Sequence, residues 1–244
     1  MRYPHTPSDT AVSHSAAPRL SVSQSLNAYL HSIPGTTTWL FTLFVSSLTL
    51  RTTSLRLREN LLRQQSTNLH NMGHHPVNVL FVSAFWVQSA RTAVWILPFL
   101  LVVAPVERWL GTFRWFIVAS FGHVLATLVT TYGVWVVTKN GTIHKTLTRV
   151  TDVGPSYAWW ATAGILVYLL PRRWRYLWLL MIFGYLGFKT VSGPLTFDDL
   201  GHVSATLIGL ACYPLTKSQI AKRGQNYAFV IPWRIHERRR PNTA

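Results

Sequence analysis

The chain has 244 residues, of which 49% are hydrophobic and only 12% charged, with a net charge of +16. So small a charged share excludes an ordinary water-soluble domain, and a single cysteine, Cys212, excludes a disulfide framework or a cysteine-based zinc site. The basic residues sit in short connectors and tails instead of one stripe, which argues against nucleic-acid binding and for contact with anionic lipid at the cytoplasmic face of a membrane.

In chain order, residues 1–35 are rich in Ser, Thr, Pro and Ala and read as a disordered polar tail that lacks the pattern of a signal peptide. Thr36 to Leu50 is the first apolar run, short against the roughly 20 residues that a spanning helix needs unless Leu26 to Pro34 extends it. Arg51 to Arg63 interleaves leucines with arginines and predicts a helix lying in the membrane interface. Val79 to Ala104 is a long apolar stretch interrupted by Gln88 and Arg91, a pattern that allows its first part to lie at the interface while the remainder spans, and Phe113 to Val137 is the next span, with His123 inside it. After a polar connector, Ser156 to Leu170 spans and stops at Pro171, and Trp174 to Phe188 returns. A second connector, Lys189 to Asp199, leads to the last span, Gly201 to Leu215, and residues 217–244 form a basic tail. The reading is therefore an all-α polytopic membrane protein with six transmembrane helices over residues 36–216 and an interfacial helical loop after the first. Tryptophans at the edges of the runs suit interfacial belts. The side that holds both tails carries more Lys and Arg, so both termini are expected in the cytoplasm and the protein in the cell membrane.

In that topology Ser156 and His202 share a membrane depth, at the outer ends of two helices running in the same direction. A serine hydroxyl needs a base within hydrogen-bond reach to act as a nucleophile, and a histidine on a neighbouring helix can supply it. A helix N-terminus adds N–H groups for a developing oxyanion. Gly154 permits a tight turn before Ser156, while Gly164, Gly201 and Gly209 keep two helix faces narrow enough to pack closely. The structural alternative is an N-cap role for Ser156 and a solvated interfacial role for His202. Asp152, Asp198 and Asp199 either orient His202 or cap helices, and His123 is expected to hydrogen-bond a neighbouring helix.

These residues together resemble the rhomboid family of intramembrane serine proteases. The resemblance rests on Gly154-Pro155-Ser156-Tyr157 with Gly164 beyond it, on Gly201-His202 with Gly209 beyond it, and on Glu107-Arg108-Trp109-Leu110-Gly111, which is similar to the Glu-x-x-x-Gly turn closing the second rhomboid helix. It implies a six-helix bundle, a Ser156/His202 dyad, Glu107 tethering a neighbouring loop, transmembrane segments of other proteins as substrates, and no metal or organic cofactor. Three departures accompany it, one of them Val77-Asn78 in the place of the Trp-Arg pair that opens the interfacial loop structure of the family. Tyr157 stands where the family has a small glycine and is expected to crowd the nucleophile, and Arg91 and Trp95 occupy the places of the His-x-x-x-Asn pair that completes the oxyanion hole. Arg91 is the candidate substitute donor there. The resemblance leaves two functions open, an intramembrane serine endopeptidase and a pseudoprotease that binds or chaperones membrane proteins without cutting them; a small transporter fits less well, because no internal repeat is present.

Overall fold

The computed structural model describes residues 22–87, 93–140, 152–193 and 196–225. It divides into two units, residues 1–32 and residues 33–244. In the first unit the stretch read as a disordered tail carries a helix, α1 (Val22–His31), closed by Ser32, whose Oγ donates to the Tyr29 carbonyl at 2.6 Å. Its apolar residues Leu26, Tyr29 and Leu30 recur at helical spacing among polar ones, a signal too short to outweigh the composition around it.

Among its described residues the second unit is built from helices and the turns and short segments that join them. The helix α2 (Pro34–Thr52) starts with proline at its first position, where no N–H is needed. One face buries Thr36, Trp39, Leu43, Ser47 and Leu50, while Phe41, Phe44 and Leu48 on the other stay at least half exposed. Three short helices follow, α3 (Leu55–Gln64), α4 (Leu69–His74) and α5 (Pro76–Val82), and a 3₁₀ turn at Ser83–Phe85. Here α5 and its turn end before residue 86, and the part of the stretch from Val79 that is long and apolar enough to span is described from Ala93 on. That part is α6 (Ala93–Pro98), a π-helical turn (Phe99–Val103) and α7 (Ala104–Leu110) in unbroken succession. Pro98 cannot continue regular i→i−4 bonding, and its carbonyl accepts from Trp159 Nε1 at 3.1 Å.

Gly111, at φ +85°, turns the chain into α8 (Thr112–Lys139), whose 28 residues reach about 42 Å. Two segments, Ala93–Leu110 and Thr112–Lys139, are each long and apolar enough to cross a membrane. The remaining main helices are α9 (Ser156–Leu166), α10 (Arg172–Ser192) and α11 (Phe197–Ala211), followed by a 3₁₀ turn and α12 (Lys217–Gln225). The second connector shrinks to residues 193–196, because α10 runs on through Lys189 and α11 begins before the acidic pair.

Three of these helices, α8, α9 and α11, form the centre, and their backbones approach more closely than any side chain would allow. A Cβ on Gly122 would strike Ala161 Cβ, one on Gly164 would strike the Thr206 carbonyl, and one on Gly209 would strike the Ala161 carbonyl. Three buried threonines along the same seam satisfy their hydroxyls inside their own helices, Thr130 to Ala126 O at 3.0 Å, Thr162 to Ala158 O at 2.8 Å and Thr206 to His202 O at 2.8 Å, while the Thr127 hydroxyl of α8 has no partner among the described residues. By contrast α10 buries only Ile182 and Leu186, and it leaves Leu180, Met181, Tyr185, Phe188 and Val191 exposed. So much apolar surface facing outward on α2, α8 and α10 is what lipid tolerates and water does not.

Candidate functional site

The connector before α9 is what places Ser156. Gly154, at φ +148°, donates its N–H to the Ser83 carbonyl at 3.0 Å. Asp152 N–H donates to Ser66 Oγ at 2.7 Å, and the Asp152 carbonyl accepts from Thr67 N–H at 2.9 Å. The segment is therefore pinned on one side by the α3–α4 junction and on the other by the 3₁₀ turn. The N-cap of α9 is Pro155, so Ser156 is the first helical residue and does not cap. The first intrahelical bond runs from Trp159 N–H to the Pro155 carbonyl, which leaves the N–H groups of residues 156–158 ahead of the helical ladder.

One turn into α11, His202 is 8% exposed, with its ring held between two aromatic side chains of α9. Tyr157 meets it edge-on at a centroid distance of 5.6 Å, and Trp160 lies against it at 5.5 Å. Trp160 stacks in turn on Tyr185 of α10 at 5.8 Å. Neither imidazole nitrogen makes a hydrogen bond, although Nε2 lies 3.3 Å from Asp198 Oδ1, close enough for charge attraction but off line for a bond.

Ser156 and His202 face one cavity of about 1110 Å³. Trp95, Trp159, Trp178 and Tyr185 give it an aromatic wall, and Asp152, Asp198 and Lys189 its charged rim. No hydrogen bond joins Ser156 Oγ to His202. The two groups are gathered in one chamber without being coupled.

Tyr157 does not crowd this chamber. Its ring is 2% exposed and packs on Gly201, where a Cβ would strike the ring, and it separates His202 from His123, 6.1 Å away on the other side. Its hydroxyl donates to Asp152 Oδ2 at 3.1 Å, and Thr67 Oγ1 donates to the same oxygen at 3.0 Å. Burial, and after it the charge of Asp198, pushes the Asp152 carboxyl above its ordinary range, against the pull of those two bonds. Asp152 thus anchors the serine-bearing turn and the tyrosine, with no direct contact to His202.

The other two aspartates divide their labour. Asp199 completes a capping box: Thr196 Oγ1 and Thr196 N–H donate to its Oδ2 at 2.6 and 3.0 Å. Its other oxygen pairs with Lys189 Nζ at 2.6 Å. Asp198 faces His202 and lies 3.6 Å from the same ammonium. Sequence reasoning missed Trp160, Tyr185 and Lys189. Trp160 was open to recognition, since it lies four residues after Ser156 on one helical face.

Glu107 is fully buried and accepts four bonds: from Gly35 N–H and Thr36 N–H at 2.7 Å each, from Thr36 Oγ1 at 2.6 Å and from Thr112 Oγ1 at 2.8 Å. What it tethers is the N-terminus of α2, not a loop, so one carboxylate serves as that helix's missing cap from 71 residues away. His123 pairs through Nε2 with Ser83 Oγ at 3.1 Å, a bond between helices of the expected kind. Arg91 lies outside the described residues.

A family model described as rhomboid-like protein matches residues 28–222. The chain belongs to the rhomboid-like family. Among curated proteins and solved structures, none matches it. Family membership and the two apolar segments together make this a rhomboid-like membrane protein. The matched region takes in α2 to α11, and with them Ser156, His202 and the Glu107 to Gly111 turn.

Proposed function

We propose that this rhomboid-like protein is an intramembrane serine endopeptidase with Ser156 as nucleophile and His202 as general base. The observation that supports it best is the shared cavity: a serine hydroxyl at a helix start and an imidazole with no hydrogen bond of its own open into the same chamber. A ring adjustment that keeps Asp198 beside one imidazole nitrogen and turns the other to Ser156 forms the dyad. The imidazole then takes the hydroxyl proton as Oγ attacks the peptide carbonyl, and the N–H groups at the start of α9 receive the oxyanion. As the C–N bond breaks, the imidazolium gives the proton to the leaving amine. Water, activated by the same base, hydrolyses the acyl ester. The substrate is a transmembrane helix that unwinds near the outer face, since backbone inside lipid must keep its own hydrogen bonds. Six spans, cytoplasmic termini, a cell-membrane location and anionic lipid at the inner face complete this reading, and no cofactor is needed for it.

One observation favours a second reading. His202 Nε2 is turned to Asp198 and no bond reaches Ser156, which suits a pseudoprotease that uses the aromatic chamber to hold a client helix. A fluorophosphonate probe on the full chain in detergent separates the two. Labelling of the wild type that is lost in both Ser156→Ala and His202→Ala is the result expected of the peptidase. Absence of labelling in folded wild-type protein overturns that reading and leaves the client-binding one.

A further inference from the structure

Around His202 the titratable groups are few and can be named by element. On its own helix, one turn earlier, stands Asp198, whose Oδ1 is 3.3 Å from Nε2; Asp199 beside it is tied to Thr196 and Lys189. From α10 come Lys189, shared between Asp198 and Asp199, and Tyr185, which reaches the histidine only through Trp160. From α9 come the Ser156 hydroxyl and Tyr157. From α8 comes His123, on the far side of the Tyr157 ring. The connector adds Asp152, whose contact is with Tyr157.

Of these, Asp198 alone brings a full charge within 4 Å of the imidazole, and it is the less enclosed of the two neighbouring carboxylates. Its side chain is 46% exposed, it takes no part in the capping box, and its distance to Lys189 is a loose 3.6 Å. Asp199, by contrast, is 3% exposed and fully engaged. The two neighbouring carboxylates therefore differ in kind. One holds the helix start, and the other is free to act on the histidine.

We propose that Asp198 is a positioning residue for His202, with Lys189 of α10 competing for its carboxylate, so that the seating of α10 tunes the basicity and ring orientation of the histidine. This rests on the peptidase reading for its consequence, but the pairing itself is testable without activity. When Lys189 stays on the carboxylates, Asp198 is partly neutralised and His202 is a weaker base. When α10 moves away, the ammonium leaves, the carboxylate acts on the imidazole alone, and the histidine becomes a stronger base. The aromatic contact of Tyr185 with Trp160 ties the same movement to the ring packed against His202.

The experiment is a titration of His202 by NMR in the full-length Ser156→Ala protein in micelles, with isotope-labelled histidine and His202→Ala to assign the signal. Removing a facing carboxylate lowers an imidazole pKa, and removing a nearby cation raises it. Asp198→Asn is therefore expected to lower the His202 midpoint by about one pH unit, and Lys189→Met to raise it by a smaller amount. In the Ser156-containing protein the acid limb of probe labelling is expected to move with it, to lower pH in Asp198→Asn and to higher pH in Lys189→Met, because the base acts in its neutral form. A midpoint unmoved in both variants overturns the proposal even if the wild type labels. Shifted midpoints with no labelling in any serine-containing protein uphold the pairing and overturn the peptidase reading instead.

Discussion

The seam between α9 and α11 and the contact of α10 with them are two ways of holding a helix. In the seam, backbone lies on backbone: Gly164 and Gly209 admit the opposite chain where any Cβ would strike a carbonyl, and buried threonines satisfy themselves within their own helices. α10 is attached by side chains along its length: Arg175 Nε and Trp178 Nε1 donate to the Val167 and Ala163 carbonyls at 2.9 Å each, Tyr185 stacks on Trp160, and Lys189 pairs with Asp199. Backbone contact in the seam holds Ser156 and His202 on two closely packed helices, whereas the wall of the chamber that α10 supplies is held by side chains. The difference shows that closeness of packing, more than hydrophobicity, separates the scaffold of this site from its boundary, since both helices are apolar.

The sharpest way to break that comparison is to put a side chain into the seam. Gly209→Leu must push the two helix backbones apart, a larger demand than the 1–3 kcal/mol of an ordinary overpacked core; the expected outcome is loss of the folded protein, read as aggregation in size-exclusion chromatography. Next in size is Glu107→Ala, which strands two amides and two hydroxyls and is expected to cost about 3–5 kcal/mol in detergent denaturation, with Glu107→Gln intermediate because one acceptor oxygen survives. Tyr157→Phe keeps the ring on Gly201 and removes one bond to Asp152, for an expected loss of about 1 kcal/mol.

Smaller still is the effect at the boundary. Lys189→Met removes a partly exposed ion pair and is expected to change global stability by less than about 1 kcal/mol, while hydrogen exchange rises in α10 and stays unchanged in α9. Equal increases in both helices would erase the distinction between scaffold and wall. The smallest effect is a slope. Asp152 holds its proton more firmly folded than unfolded, so the folded state binds more protons above about pH 4, and wild-type stability falls as pH rises from there through the raised folded pKa. Asp152→Asn, which keeps an acceptor for Tyr157 and Thr67, is expected to flatten that slope in thermal melts taken from pH 4.5 to 7.5.

Much of the scaffold could be read in the sequence, because its determinants are local. Glycines facing a seam, an acidic residue four positions before a glycine, and apolar runs between charged turns each leave a mark on a short window. Those marks placed Ser156 and His202 on neighbouring helices and Glu107 at a tether. What they could not convey was rotation about a helix axis. Tyr157 follows Ser156 directly, yet α9 turns its ring onto Gly201 and away from the chamber, while Trp160, three residues further, turns toward His202. The division between Asp198 and Asp199 was hidden for a similar reason. Adjacent carboxylates look alike in a sequence, and only the geometry of Thr196 and Lys189 assigns the cap to one of them. The target of Glu107 was hidden by distance, since no pattern at Gly35 and Thr36 points to a residue 72 and 71 positions later.

That last distance bears on how the chain is made. During synthesis Gly35 and Thr36 leave the ribosome well before Glu107 does, so the start of α2 is made with its first amides lacking the carboxylate that will later receive them. The helix α2 can therefore form early but cannot be finished early: its end closes only when α7 has arrived and the turn at Gly111 has brought Thr112 alongside. The hairpin of α7 and α8 is, in this sense, a checkpoint on assembly, and a chain truncated before residue 107 carries an α2 with an open end.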